Sequence, residues 1–312
     1  MFSVKFLGLQ VLLSAAVALA APASVPSSLK ERAVKTLSPS KLNAFIPYTQ
    51  FASAAYCSSS SVKTWDCGPA CDALPGFEVS LTGGDGDDVQ LYYVGYWPSE
   101  DAVVLGHQGT DPTKLLSVAT DINVIQGSLD SSLFPDLPSG ILVHSGFRDA
   151  QASTASTVLA QVKSLLSKNS ASKVIVVGHS LGGAIAELDS LMLRLNLPSS
   201  VSVKAVTFGT PRVGNPAFAS FFDKTVDDFT RIDHAQDPVP IVPGRGLGYS
   251  HPSGEIHILS SGTAVSCPGE DDATDSQCTI ESVPNILVGN IVDHLGPYID
   301  DIWMGTALGQ CL

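Results

Sequence analysis

Apolar and polar positions alternate along this chain in two distinct periods. Lys173 to Val177 is a short run dominated by β-branched residues, Val201 to Phe208 is another strand of the buried type, and Phe229 to Ile232 is a third. Runs of this kind fit strands buried on both faces of a parallel sheet. The segments 89–96 and 102–105 are also strand-like, and His257 with Ile258 adds a late strand. Between these runs the period changes to that of a helix. Residues 149–168 place Val158, Leu159, Val162, Leu165 and Leu166 on one side, Leu181 to Leu195 is helical in character until Pro198, and 41–56 reads as an amphipathic first helix. Strands alternating with helices predict an α/β sheet with right-handed crossovers. No internal repeat or central linker divides the chain, so one domain is expected.

The N-terminus follows a different pattern. Lys5 precedes an apolar run from Phe6 to Ala20 that ends in Ala18-Leu19-Ala20, which predicts a secretory signal over residues 1–20. The run is too short for a membrane span, which needs about 20 apolar residues. Residues 21–32 are rich in Ala, Pro and Ser and read as a pro-segment or flexible leader, leaving 33–312 as the domain. The formal charge of −13 argues against nucleic acid as a partner. A monomer is expected. The even set of six cysteines suits an oxidising compartment, and six allow 15 pairings. Short loops suggest Cys67–Cys71 and Cys267–Cys278, leaving Cys57–Cys311 to tie the ends. Zinc is the rival reading, but Cys67 and Cys71 lack a second ligand pair at finger-like spacing.

The candidate chemistry lies at Gly178-His179-Ser180-Leu181-Gly182. A Gly-x-Ser-x-Gly pattern arises by chance in roughly one chain in ten of this length. Here it sits between a buried strand and a helix, where a nucleophile elbow belongs. A serine hydroxyl needs a base to take its proton, and in such folds the order is Ser, acid, His. That order leaves His251, His257 and His294 as bases, and His294 is favoured on a C-terminal loop after a last strand at 290–293. Asp189, Asp223, Asp227, Asp228, Asp233 and Asp237 are the acids considered. Asp237 follows a strand end and is held by Pro238-Val239-Pro240, which favours it.

Several longer stretches then match a family in order. They are Val143–Phe147, Val177–Ala184, Phe208–Asn215, Arg231–Pro240, Gly248–His251 and Asp293-His294. Over about residues 41–312 the chain resembles the class 3 lipases, the secreted fungal triacylglycerol lipases and their feruloyl esterase relatives. The resemblance implies an α/β-hydrolase fold, a mostly parallel central sheet and a short helical lid at about 111–125. It implies Ser180, Asp237 and His294 as nucleophile, acid and base, and Thr110 with the Leu181 N–H as oxyanion donors. It also supports the Cys57–Cys311 and Cys67–Cys71 pairs. An Arg or Lys usually precedes the oxyanion Gly; Gln108 stands there in this chain, so the usual anchoring charge is missing. Leu115, Leu116, Ala119 and Ile122, with Val118, form an apolar helical stripe, which the resemblance reads as the lid and lipid-facing surface. The substrate implied is an acylglycerol ester at a lipid–water interface, with no metal or organic cofactor. A soluble feruloyl-type carboxylesterase is the alternative, and a non-catalytic hydrolase-fold binding protein is the minor one. His144, His251 and Arg212 lie in the shared motifs and are expected to be scaffolding.

Overall fold

The computed structural model describes residues 33–110, 125–271, 274–305 and 311. The expected signal (1–20), the leader (21–32) and the lid residues Leu115, Leu116, Val118, Ala119 and Ile122 lie outside the described residues.

Nine strands form one sheet: β1 (Lys35–Thr36), β2 (Glu78–Gly83), β3 (Tyr92–Trp97), β4 (Ala102–His107), β7 (Lys173–His179), β8 (Ser202–Phe208), β9 (Asp228–His234), β10 (Glu255–Ile258) and β11 (Ala264–Ser266). Their spatial order is β1-β11-β10-β9-β8-β7-β4-β3-β2. The central five, β4, β7, β8, β9 and β10, run parallel, and antiparallel strands close both edges. A two-stranded ribbon, β5 (Gln126–Gly127) with β6 (Val143–His144), stands apart.

The strand sequences dictate this layering. In β7, Val174 and Val176 enter one apolar cluster, whereas Ile175 and Val177 enter the cluster on the other face. In β4, Val103 and Leu105 divide from Ala102 and Val104 in the same way. A strand with two buried faces needs helices on both sides. The helices Ser145–Asn169 and Leu181–Asn196 supply one layer, and Ile46–Ala54 lies on the other. Parallel strands with their crossover helices, and a sharp strand-to-helix turn at Ser180, make this an α/β-hydrolase fold.

Several elements differ in extent from their sequence expectations. The long helix starts at Ser145, where the His144 imidazole accepts from the Phe147 amide and caps it. The expected 41–56 helix is two, Pro39–Asn43 and Ile46–Ala54, with Pro47 in the first turn of the second. The expected strand at 290–293 is instead the start of a helix, Ile291–Leu295. Asn290 caps it by accepting from the Val292 amide, so the apolar pair there follows a helical turn.

The disulfides join Cys57 to Cys311, Cys67 to Cys71 and Cys267 to Cys278. The first ties the start of the domain to its end.

Candidate active site

Ser180 occupies the turn between β7 and the helix Leu181–Asn196, with φ 59° and ψ −128°. That conformation costs a non-glycine residue on the order of 1–3 kcal/mol and persists only where the surroundings enforce it. Both nearby glycines make room for it. A Cβ on Gly178 would lie 2.1 Å from the Gly182 oxygen, and one on Gly182 would lie 2.4 Å from the His107 oxygen. The Ser180 amide donates to the Phe208 carbonyl at 2.9 Å, tying the elbow to β8. Leu181 is the first residue of the helix, so its N–H has no carbonyl one turn back to bond.

Phe208 leads into Gly209, and over Gly209 lie the two other candidates. A Cβ there would meet Tyr298 Oη at 2.7 Å, and Asp237 Oδ2 and His294 Nδ1 at 2.8 Å. His294 Nδ1 donates to Asp237 Oδ2 at 2.8 Å, and both side chains are fully buried. Asp237 Oδ1 accepts from the Val239 amide at 2.8 Å. Burial drives both groups toward neutrality, raising Asp237 well above the usual carboxylate range and lowering His294 to about 3. Burial of this kind keeps the imidazole neutral and ready to accept a proton.

Among the described residues, His294 Nε2 and Thr110 Oγ1 are both buried atoms without a hydrogen-bond partner. A base and an oxyanion donor awaiting substrate have this character, since catalytic hydrogen bonds often tighten only in the substrate complex. Thr110 follows Gly109, where a Cβ would approach Ser180 Cβ to 2.9 Å, so this loop abuts the serine. The missing basic anchor has a substitute. Gln108 clamps Leu91 through both backbone groups, its amide donating to the Leu91 carbonyl at 2.8 Å and its Oε1 accepting from the Leu91 amide at 2.9 Å. His107 Nε2 pairs with Asp189 Oδ2 at 2.8 Å, and Gln151 donates to the other Asp189 oxygen. Asp189 therefore braces the Gly109 loop, and the structure leaves it away from His294.

Of the remaining candidates, Asp227 is exposed and the others are employed elsewhere. His251 Nε2 donates to the Pro240 carbonyl, and His257 bonds the Ala235 and Gln277 carbonyls. Arg212 donates to the Ile241 and Pro243 carbonyls and pairs with Asp271, bracing the loop behind Asp237. Asp233 is bound to Arg231 and Thr279, Asp223 to Ser253, and Asp228 to Lys204. Among the described residues, the one grouping of possible metal ligands is Glu255, Cys267 and Cys278, and both its sulfurs are committed to a disulfide.

Sequence reasoning missed a second set of contacts. The His294 carbonyl accepts from His179 Nε2 at 2.8 Å and from the Tyr298 hydroxyl at 3.1 Å. Because His179 Nε2 must carry the proton, its Nδ1 accepts from the Tyr56 hydroxyl at 2.5 Å. Burial, then the adjoining His294, holds the His179 pKa well below its usual value, so this ring stays neutral 4.3 Å from the His294 ring. His179 was visible only as the variable position of the elbow. Tyr56 was visible only as the neighbour of Cys57.

Residues 104–247 match the family model for the class 3 lipases. The secreted mono- and diacylglycerol lipase MDL2 of Malassezia globosa is 32% identical over 233 residues, 74% of either chain. Secreted mono- and diacylglycerol lipase 3 of Gibberella zeae is 30% identical over 322 residues, spanning 100% of this chain and 98% of that protein. The chain belongs to the class 3 lipases. Among solved structures, lipase II of Rhizopus niveus aligns with a TM-score of 0.77 at 28% identity, covering 90% of this class 3 lipase and 100% of that chain. A Rhizomucor miehei lipase aligns with a TM-score of 0.75 at 27% identity, covering 88% of this chain and 84% of that one. This class 3 lipase is a secreted protein, in keeping with its relatives and its disulfides, and no described helix is long and apolar enough to cross a membrane.

Proposed function

We propose that this class 3 lipase hydrolyses acylglycerol esters at a lipid–water interface through an acyl-enzyme on Ser180. The observation that carries the reading is the strained Ser180 elbow set beside a buried His294–Asp237 pair whose Nε2 is bare. His294, oriented by Asp237, takes the Ser180 proton as the oxygen attacks the ester carbonyl. Thr110 Oγ1 and the Leu181 N–H hold the tetrahedral oxyanion, where each donor is worth about 3–4 kcal/mol in comparable sites. His294 then returns the proton to the leaving alcohol, and water activated by the same imidazole releases the fatty acid. Residues 1–20 serve as the removed secretory signal and 33–312 as the single lipase domain. The apolar stripe at 111–125 serves as the lid, a part of the reading carried by the sequence alone. The enzyme works as a monomer, and its charge of −13 keeps it off nucleic acid.

The test is Ser180→Ala assayed on dissolved short-chain esters, acylglycerol emulsions and methyl ferulate, with phosphonate labelling of the wild type. Activity is expected to fall by several orders of magnitude with the fold kept. An active Ser180→Ala enzyme overturns the assignment of the nucleophile. A wild type acting on methyl ferulate and on no acylglycerol overturns the substrate.

A further inference from the structure

The exposed large apolar residues are distributed unevenly. Among the described residues they are Ile125, Leu247, Ile286, Leu287, Val288 and Val292. All lie on segments around the candidate active site. The turns at the opposite, N-terminal ends of the parallel strands (98–101, 170–172 and 198–201) carry none. Chance scatter of exposed apolar groups is normal on a soluble protein, but confinement to one end of the strands is not.

Three of the six are consecutive, and their loop is built to hold them outward. The Asn285 carbonyl accepts from the Val288 amide at 3.2 Å and its side chain accepts from the Leu287 amide at 3.0 Å, closing a tight turn. Leu287 at its tip is 90% exposed. Gly289 packs on Pro238, and the Asn290 amide donates to the Gln236 carbonyl, so the loop rests on the segment that carries Asp237. That segment runs on through Pro243 to Leu247, where the Gln126 side chain donates to the Gly248 carbonyl and brings Ile125 alongside. The apolar residues thus border one continuous stretch beside the site.

We infer that the Ile286–Val288 turn is a fixed anchor that seats the enzyme on an uncharged lipid surface. The inference rests on the lipase reading given above. The occupant is an uncharged surface because the turn offers no charge of its own and the chain carries −13, which anionic lipid repels. A rigid turn presents its leucine without first paying to order it, so the apolar area goes directly into binding.

The test uses the mature wild type and Leu287→Asn. Partition is measured onto phosphatidylcholine vesicles, phosphatidylglycerol vesicles and a trioleoylglycerol emulsion, alongside hydrolysis of a short-chain ester below its solubility limit. Leu287 touches none of the candidate triad, so the dissolved ester should be cleaved within about twofold of wild type. Partition onto phosphatidylcholine and the emulsion should fall about tenfold, the share of one leucine side chain. Unchanged partition overturns the anchor while leaving the lipase reading intact. Stronger binding to phosphatidylglycerol than to phosphatidylcholine overturns the choice of surface. A wild-type dimer that dissociates on Leu287→Asn would identify a second copy as the occupant and overturn the proposal. A wild type inert on every acylglycerol fails the lipase reading itself, a result separate from any effect of Leu287.

Discussion

Gly209→Ala is the substitution that most directly tests how the site is held. The added Cβ would sit 2.7–2.8 Å from Tyr298 Oη, Asp237 Oδ2 and His294 Nδ1, against the 3.4 Å at which ordinary contact begins. Each neighbour must therefore retreat by about 0.6 Å or more, and none can do so freely. Tyr298 is pinned to the His294 carbonyl, Asp237 to the Val239 amide, and His294 to Asp237. Gly209 also has φ +51°, which costs an alanine about 1–2 kcal/mol. Overpacking adds about 1–3 kcal/mol, giving a loss of roughly 2–5 kcal/mol. For a domain of this size that lowers Tm by about 5–10 °C.

The catalytic effect should exceed what this instability explains. A misplacement of about 1 Å at reacting groups can cost a hundredfold, so kcat should fall ten- to a hundredfold with KM nearly constant. The assay is steady-state hydrolysis of a dissolved short-chain ester at 20 °C, below the variant's Tm. Gly262→Ala is the control, because Gly262 has φ +79° and a Cβ there meets nothing within 4 Å. It should lose stability and keep kcat. A Gly209→Ala enzyme with kcat within threefold of wild type would refute the idea that this glycine makes room for the acid–base pair.

Two further expectations follow from buried polar groups. Tyr56→Phe removes the hydroxyl that His179 Nδ1 accepts, leaving a buried acceptor worth about 1–3 kcal/mol. It should lower kcat about three- to thirtyfold with KM unchanged, and a fall in Tm alone would mark Tyr56 as purely structural. Glu187 lies fully buried on the elbow helix with neither carboxylate oxygen partnered among the described residues, and burial raises its pKa well above the usual carboxylate range. A carboxyl whose folded pKa is raised stabilises the fold below its unfolded pKa near 4.5 and loses that contribution as pH climbs. Glu187→Gln should therefore gain Tm over wild type increasingly from pH 4.5 to 8, and a gain independent of pH would exclude ionisation of Glu187 as the cause.

Much of this molecule was legible because the relevant signals are local. A β-branched run such as Lys173–Val177 suits a strand buried on two faces, and the strand at Lys173–His179 is buried so. The glycines around Ser180 announced a turn that side chains would block, and the backbone there has a positive φ. The helix at Ile291–Leu295 was misread as a strand because two apolar residues beside an aspartate carry no period of their own. The Asn290 cap decided the matter, and capping asparagines and turn asparagines look alike in sequence.

The contacts that hold the base were illegible for a different reason. His179 and Tyr56 are 123 residues apart, and His179 and His294 are 115 apart. No periodicity links such positions, because their meeting depends on how β7, the first helices and the C-terminal loop converge at the C-terminal ends of the central strands. The same holds for Gly209. In the sequence it is one glycine in Phe208-Gly209-Thr210-Pro211, and its meaning comes only from three polar side chains that arrive from residues 237, 294 and 298. A buried imidazole can be read as a proton acceptor only when its other nitrogen has a partner and its ring cannot turn. His294 meets both conditions through groups supplied from four separate stretches of chain: Asp237, Gly209, His179 and Tyr298. The proposed nucleophile could be named from five consecutive residues, whereas the rigidity of the proposed base is a property of the assembled C-terminal ends of the central strands.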